Sequence, residues 1–237
     1  MRSATGNGWE LRLGRWQDVL GDVIADAMIF DAPYSSKTHA SKARRNDGSS
    51  ADGCAPGYSF LTPDDVYAFV NWWSCRCRGW MVSVTDDVLA PVWKDAYRHV
   101  GRYAFAAVPA VITGMTCRMR GDGPSSWAVH VMVARPKTSE FASWGTLPGA
   151  YTGPRSTGSK GGRGKPQWLP DALVRDYTRP GDLVVDPFAG WATTLVAAVS
   201  QGRRAIGAEL ERGAYRKAVV VMRGGAPAQR APGQRAA

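Results

Sequence analysis

No apolar run in this 237-residue chain approaches the ~18 to 20 residues a bilayer crossing needs, and the opening Met-Arg-Ser-Ala-Thr-Gly-Asn-Gly lacks the apolar core of a signal peptide. A cytoplasmic protein with no membrane association is therefore expected. Cysteine is scarce, with four residues at 54, 75, 77 and 117. Cys75-Arg76-Cys77 lacks the two-residue spacer of a zinc knuckle, and His39, His99 and His130 stand at no ligand spacing, so no metal is expected. Without a secretion signal, the thiols are expected to be reduced rather than paired in disulfides. Acidic residues are also in short supply: 20 Asp and Glu against 30 Lys and Arg leave a net charge of +10 and a pI near 9.8. Arg223, Arg230 and Arg235 lie in a Gly/Ala/Pro/Gln-rich tail, but discounting them leaves a basic body. Nucleic acid is the partner such a charge favours.

The length suits one domain with a real core, and no internal repeat is visible. Trp9 to Leu13 has strand-like alternation, Trp16 to Leu20 suits a short helix, and Ala27 to Phe30 is a second apolar strand, so a β-α-β unit fits. Residues 35 to 62 form a long polar loop, followed by a helix announced by Thr62-Pro63-Asp64-Asp65 and running to about Arg76. Trp80 to Val84 reads as a strand, Asp87 to Tyr97 as a helix, and Tyr103 to Ile112 and Trp127 to Ala134 as two further strands. Residues 149 to 164 are rich in Gly, Ser, Thr, Lys and Arg and are expected to be a flexible loop. The C-terminal part then gives a helix (Asp171 to Tyr177), a strand (Leu183 to Val185), a helix from Thr193, a strand (Ala205 to Ala208) and a last helix (Arg212 to Val221). Strands alternating with helices predict an α/β fold, a mostly parallel sheet covered on both faces. A single domain over 1–222 and a disordered basic tail over 223–237 follow.

Two stretches carry chemistry. In Asp186-Pro187-Phe188-Ala189-Gly190-Trp191-Ala192-Thr193-Thr194, a strand meets a small-residue turn and then a helix. That sequence suits either a structural turn or a backbone approach to a nucleotide-like ligand. Glu209 ends the next strand about 20 residues on, where a carboxylate accepts hydrogen bonds from ribose hydroxyls. The turn lacks the dinucleotide G-x-G-x-x-G pattern, so a nucleoside without a pyrophosphate fits better. The second stretch, Asp31-Ala32-Pro33-Tyr34, ends another strand. A carboxylate and adjacent carbonyls can take both hydrogens of an exocyclic amine, and a tyrosine can stack on an extruded base.

Together these stretches resemble the permuted (β-group) amino-methyltransferases of DNA, which make N6-methyladenine or N4-methylcytosine from S-adenosylmethionine. That family usually reads Asp-Pro-Pro-Tyr and Asp-Pro-Phe-x-Gly-x-Gly-Thr-Thr. Gly164-Lys165-Pro166, Arg179-Pro180-Gly181-Asp182 and Gly202 to Glu209 are similar to further family segments. The likeness covers residues 10 to 34 and 164 to 218 well and the middle loosely. It implies a Rossmann-like methyltransferase fold in circularly permuted motif order. It also implies a cofactor, S-adenosyl-L-methionine, and double-stranded DNA as partner, in a monomer or homodimer encoded by a bacterium or its phage. Asp31, Ala32, Pro33 and Tyr34 would be catalytic. Asp186, Pro187, Phe188, Gly190, Thr193, Thr194, Glu209, Lys165 and Pro166, with Asp31, would hold the cofactor.

Lys37, Lys42, Arg44 and Arg45 follow the catalytic strand, and with Arg118 and Arg120 they are the candidate DNA contacts. Trp72 and Trp73 are expected in the core. Gly158-Ser159-Lys160 reverses the phosphate-loop order and is rejected as one. Three positions depart from the family: Ala32 replaces a proline, Ala192 replaces a glycine, and Arg15 stands where an acid is common. Alanine disfavours positive φ, so the Ala192 turn is expected to be either right-handed or strained. Adenine-N6 methylation is the leading expectation because position 31 is aspartate rather than serine. Cytosine-N4 methylation, a catalytically decayed DNA-binding protein, and an RNA or small-molecule methyltransferase are the alternatives. A restriction companion, a phage-borne modifier and a regulatory methylase are all compatible with the chain.

Overall fold

The computed structural model describes residues 2–38, 60–115, 126–156 and 166–224. Their strands form one ten-stranded sheet: β1 (Arg2–Gly6), β2 (Trp9–Leu13), β3 (Ala27–Asp31), β4 (Met81–Thr85), β5 (Tyr103–Ala104), β6 (Val108–Thr113), β7 (Ala128–Arg135), β8 (Tyr151–Pro154), β9 (Leu183–Asp186) and β10 (Arg204–Glu209). The spatial order is β1-β2-β10-β9-β3-β4-β7-β6-β8, with β5 paired to β7. Strands β2, β10, β9, β3 and β4 are mutually parallel, and β1 and β7 are added antiparallel on either side.

Alternation along the strands sends successive side chains to opposite faces and so builds two cores. In β3, Ala27 and Ile29 join the helices α4 (Trp168–Tyr177), α5 (Thr193–Ser200) and α6 (Arg212–Gly224). Met28 and Phe30 join α1 (Trp16–Val19), α2 (Pro63–Ser74) and α3 (Ala90–His99) on the other face. Helix α2 starts as its sequence announces: the Thr62 hydroxyl accepts from the Asp65 N–H at 3.2 Å, and the Asp65 carboxylate accepts from the Thr62 N–H at 2.9 Å. Trp73 is fully buried and Trp72 packs beside it at 4.7 Å, so this pair belongs to the core as expected.

The structure departs from the sequence reading in several places, one being helix α4, which starts at Trp168 rather than Asp171. The expected strand from Tyr103 to Ile112 is broken into β5 and β6, which pair with β7 at separate registers. The helix expected from Asp87 starts at Ala90, because the Asp86 carboxylate accepts from the Leu89 N–H at 3.0 Å and so caps the chain ahead of the helix. The N-terminal strand β1 has no counterpart among the expected elements; it pairs with β2 as a hairpin. Strand β8 lies inside the stretch expected to be a loop. It pairs in parallel with β6, and Gly153 is required there because a Cβ would sit 2.4 Å from the Trp168 ring. The Trp168 indole N–H donates to the Pro154 carbonyl at 2.8 Å, joining this edge to α4. Among the described residues, no helix is long and apolar enough to cross a membrane.

Candidate active site

From β9 the chain passes through α5 to β10 on one side, and from β3 through α2 to β4 on the other. The sheet order therefore reverses at the β9–β3 boundary. A crevice opens beyond the strand ends at such a point, and ligands of open α/β sheets bind there. Asp186 ends β9, Asp31 ends β3 and Glu209 ends β10, so residues from the two ends of the chain meet at one edge.

The turn after β9 is folded down against β10. The Ala189 N–H donates to the Ala208 carbonyl at 2.9 Å, and the Gly190 N–H donates to Glu209 Oε2 at 2.8 Å. Gly207 permits this approach, since a Cβ there would lie 3.0 Å from the Ala189 Cβ and 3.1 Å from the Asp186 carbonyl. The other Glu209 oxygen, Oε1, accepts from the Glu211 N–H at 2.7 Å. Burial lifts the Glu209 carboxyl above its ordinary range, and these N–H donors partly restrain it.

Asp186 is 2% exposed. Burial pushes its carboxyl up to about 7, against hydrogen bonds from the Phe188 N–H at 2.9 Å and the Thr194 hydroxyl, with the charges of Asp31 and Glu209 adding to the rise. Pro187 is buried behind it. Phe188 is half-buried; its ring stacks on Phe69 at 5.4 Å and lies 6.0 Å from Phe30, so much of it serves the core over α2.

Ala192 is the one non-glycine with positive φ among the described residues, at φ 63° and ψ 27°, and it is fully buried. Of the two conformations expected for this position, the strained one is present. Its N–H donates to Ala189 at 2.7 Å and its carbonyl accepts from Val196 at 2.9 Å, so the turn and the start of α5 hold it there. The left-handed conformation costs an alanine about 1–2 kcal/mol. Ala192→Gly would remove that cost but lose a buried methyl, about 0.8 kcal/mol, and add backbone freedom worth about 0.5–1 kcal/mol. The expected net change is within about 1 kcal/mol in urea unfolding, whereas Ala192→Val should destabilise by more than about 2 kcal/mol through branching at positive φ and overpacking. Equal midpoints for the glycine and valine variants would contradict the strained turn.

A shallow pocket between β3, α4 and α5 is lined by Asp31, Val84, Leu169, Pro170, Thr193 and Thr194. Gln167, which no sequence motif singles out, bridges its rim: the side-chain amide donates to the Thr193 carbonyl at 3.0 Å and to Asp171 at 2.9 Å. Pro166 is buried next to it. Lys165 lies outside the described residues. In the turn expected to be catalytic, Asp31 is half-buried, Ala32 and Tyr34 are buried and Pro33 is half-buried. Arg15 is exposed and begins α1, immediately after Gly14, whose N–H donates to the Glu209 carbonyl at 2.9 Å.

Of the candidate DNA contacts, Lys37 is exposed two residues past the buried Ser35. Lys42, Arg44, Arg45, Arg118 and Arg120 lie outside the described residues. The C-terminal ends of β3, β6 and β8 lie on one edge of the sheet, the edge that carries Asp31 and Asp186. No group of His, Cys, Asp and Glu among the described residues could hold a metal ion.

Comparison with known proteins agrees with this architecture. The sequence model of the DNA methylase family of N6 and N4 methyltransferases matches residues 136–220. The crystal structure of M1.HpyAVI in complex with S-adenosylmethionine superposes with a TM-score of 0.64 at 17% identity, covering 89% of this chain and 98% of that one. A DNA modification methylase of Thermus thermophilus gives 0.61 at 20% identity, covering 92% and 96%. The cytosine-N4-specific PvuII DNA methyltransferase gives 0.65 at 14% identity, covering 90% and 86%. At these identities the likeness establishes the fold, that of the methyltransferases. A protein of Escherichia coli (strain K12) named as a methylase, YubD, is 41% identical over 192 residues, spanning 78% of this chain and 76% of its own length. On that relationship, on the matching family segment and on the shared fold, the chain belongs to the N6/N4 DNA methylases.

Proposed function

We propose that the protein transfers a methyl group from S-adenosyl-L-methionine to the exocyclic N6 of an adenine extruded from duplex DNA. The observation that carries this proposal is the meeting of Asp31, Asp186 and Glu209 at the ends of adjacent parallel strands, around the switch point of the sheet. Asp186 lies within electrostatic reach of both Asp31 and Glu209, and acidic surroundings of this kind suit an organic cation. The residues fit the proposed cofactor: Glu209 matches the ribose hydroxyls, and Asp186 matches the ammonium of the methionine end. The pocket between β3, α4 and α5 adjoins the strand proposed to be catalytic, with Asp31, Thr193 and Thr194 in its wall. The bound cofactor would supply an electrophilic methyl on a positively charged sulfur.

The remaining work falls to this chain. Asp31 and the Ala32 carbonyl would accept the two amine hydrogens, which turns the nitrogen lone pair toward the methyl. Loss of the usual proline at 32 removes stiffness but leaves that carbonyl in place. Tyr34 would stack on the base; it is 9% exposed, so the covering chain must shift when DNA enters. Aspartate rather than serine at 31 supports adenine over cytosine. Lys37, the Lys42, Arg44 and Arg45 cluster, and Arg118 and Arg120 would meet phosphates. Labelled cofactor offered with duplex DNA and with RNA of the same sequence tests the substrate class: label in DNA alone is expected, and label in RNA alone would overturn the proposal.

The raised Asp186 carboxyl gives this site a pH signature. A carboxyl whose value rises on folding favours the fold while protonated. Its contribution is complete below the unfolded value near 4 and is lost as pH climbs through about 7. A cationic guest needs the ionised form, so cofactor binding at pH 6 should release a proton. Affinity should climb with pH and level off above pH ~8, one unit past the free-enzyme value. Calorimetry at pH 6 in two buffers of different ionisation enthalpy checks this. Identical apparent enthalpies would rule out Asp186 as the partner of the positive charge.

A further inference from the structure

Asp86, at the end of β4, has no part in the chemistry above, yet it is 8% exposed and carries four hydrogen bonds. Its Oδ1 accepts from the Leu89 N–H at 3.0 Å, which is sufficient to cap the chain ahead of α3. Its Oδ2 is directed elsewhere: it accepts from the Ser35 N–H at 3.0 Å, the Ser35 hydroxyl at 2.6 Å and the Thr38 hydroxyl at 2.5 Å. All three donors lie within four residues of Tyr34 and some 50 residues from Asp86 in the chain. Ser35 is itself 4% exposed. Burial works to raise the Asp86 carboxyl, but the Ser35 and Thr38 hydroxyls and the backbone donors outweigh it and keep it below its ordinary range.

Strands β3 and β4 are adjacent and parallel, with Asp31 level with Val84. The turn that leaves β3 at Asp31 is therefore held at one end by the sheet and at the other by Asp86. We propose that Asp86 is a positioning residue for methyl transfer, clamping Ser35 and Thr38 so that the Asp31-Ala32-Pro33-Tyr34 turn keeps the orientation an incoming amine requires. This rests on the function proposed above. The clamp gives this turn a second anchor beyond the end of β3. A displacement of about 1 Å in such a turn costs on the order of 10²-fold in rate.

The double variant Ser35→Ala/Thr38→Ala removes both hydroxyl donors but keeps the Ser35 N–H and the Leu89 cap. Its single-turnover methyl transfer, at saturating DNA and cofactor, is expected to fall at least tenfold, with cofactor affinity within twofold of wild type. Thr38→Ser, which keeps a hydroxyl, should retain most of the rate that Thr38→Ala loses. 2-Aminopurine at the target position should report altered stacking of the extruded base in the double variant. A rate within twofold of wild type would overturn the clamp. So would rate and cofactor affinity falling together with Tm, which marks a purely structural role. Amide exchange in Asp86→Asn gives a reading that needs no activity: faster exchange at Ser35 supports the clamp and unchanged exchange overturns it. Should the wild-type protein methylate nothing, the methyltransferase proposal fails, and amide exchange alone decides on the clamp.

Discussion

Asp31→Ala is expected to lower methyl transfer to DNA by about 10³-fold, the scale of losing a preorganised polar group at a reacting centre. Cofactor affinity should stay within about threefold, because the ribose contact is proposed for Glu209 and the turn that meets it is held from β10. Removing the Asp31 charge also takes away one of the influences that raise Asp186, so the proton release at pH 6 should shrink. Asp31→Asn is a stricter probe. Its single carbonyl oxygen still accepts, but its amide hydrogens face the amine hydrogens, so it should rescue little. A variant that kept cofactor binding and also kept its rate would remove Asp31 from the reaction.

The second large effect concerns Glu209, and it should fall on binding rather than on chemistry. In Glu209→Gln one oxygen becomes an NH₂ group that confronts either the Gly190 N–H or the Glu211 N–H, each of which now has an acceptor within 2.8 Å. A hydrogen bond to a charged group contributes about 1.5–3 kcal/mol. Weakening two ribose contacts should therefore raise the cofactor Kd by about 10²-fold. At saturating cofactor the rate should recover to within about tenfold, since Asp31 and the amine are untouched. Stability should fall by about 1 kcal/mol, the cost of a loosened N–H beside a half-buried carboxylate. An unchanged Kd, or a rate loss that saturating cofactor does not relieve, would place the ribose elsewhere.

Much of this site is legible in the chain because its key residues sit at strand ends, where a short motif fixes geometry. Asp31-Ala32-Pro33-Tyr34 and Asp186 to Thr194 each mark where an apolar strand stops, and a parallel sheet puts all such ends on one edge. That the two motifs are more than 150 residues apart is immaterial once β3 and β9 pair. The left-handed Ala192 is foreseeable as one of two alternatives, since a tight turn either avoids positive φ at an alanine or imposes it at a cost. The Asp86 clamp is not foreseeable. Asp86-Asp87 reads locally as the acidic start of a helix, and nothing in its neighbours points to Ser35. Gln167 escapes notice for the same reason: its partner is a backbone carbonyl at the start of another helix, and carbonyls carry no sequence signature. Strand β8 is masked by composition, because Gly153 looks like loop material until Trp168 is seen packed on it.

The most direct test of the central claim offers unmodified duplex DNA and methyl-labelled S-adenosylmethionine to the wild-type protein and to Asp31→Ala, then hydrolyses the DNA to nucleosides. Label is predicted in N6-methyldeoxyadenosine with wild type, and almost none with the variant. Label confined to N4-methyldeoxycytidine would contradict the adenine assignment, and full labelling by Asp31→Ala would contradict the site itself.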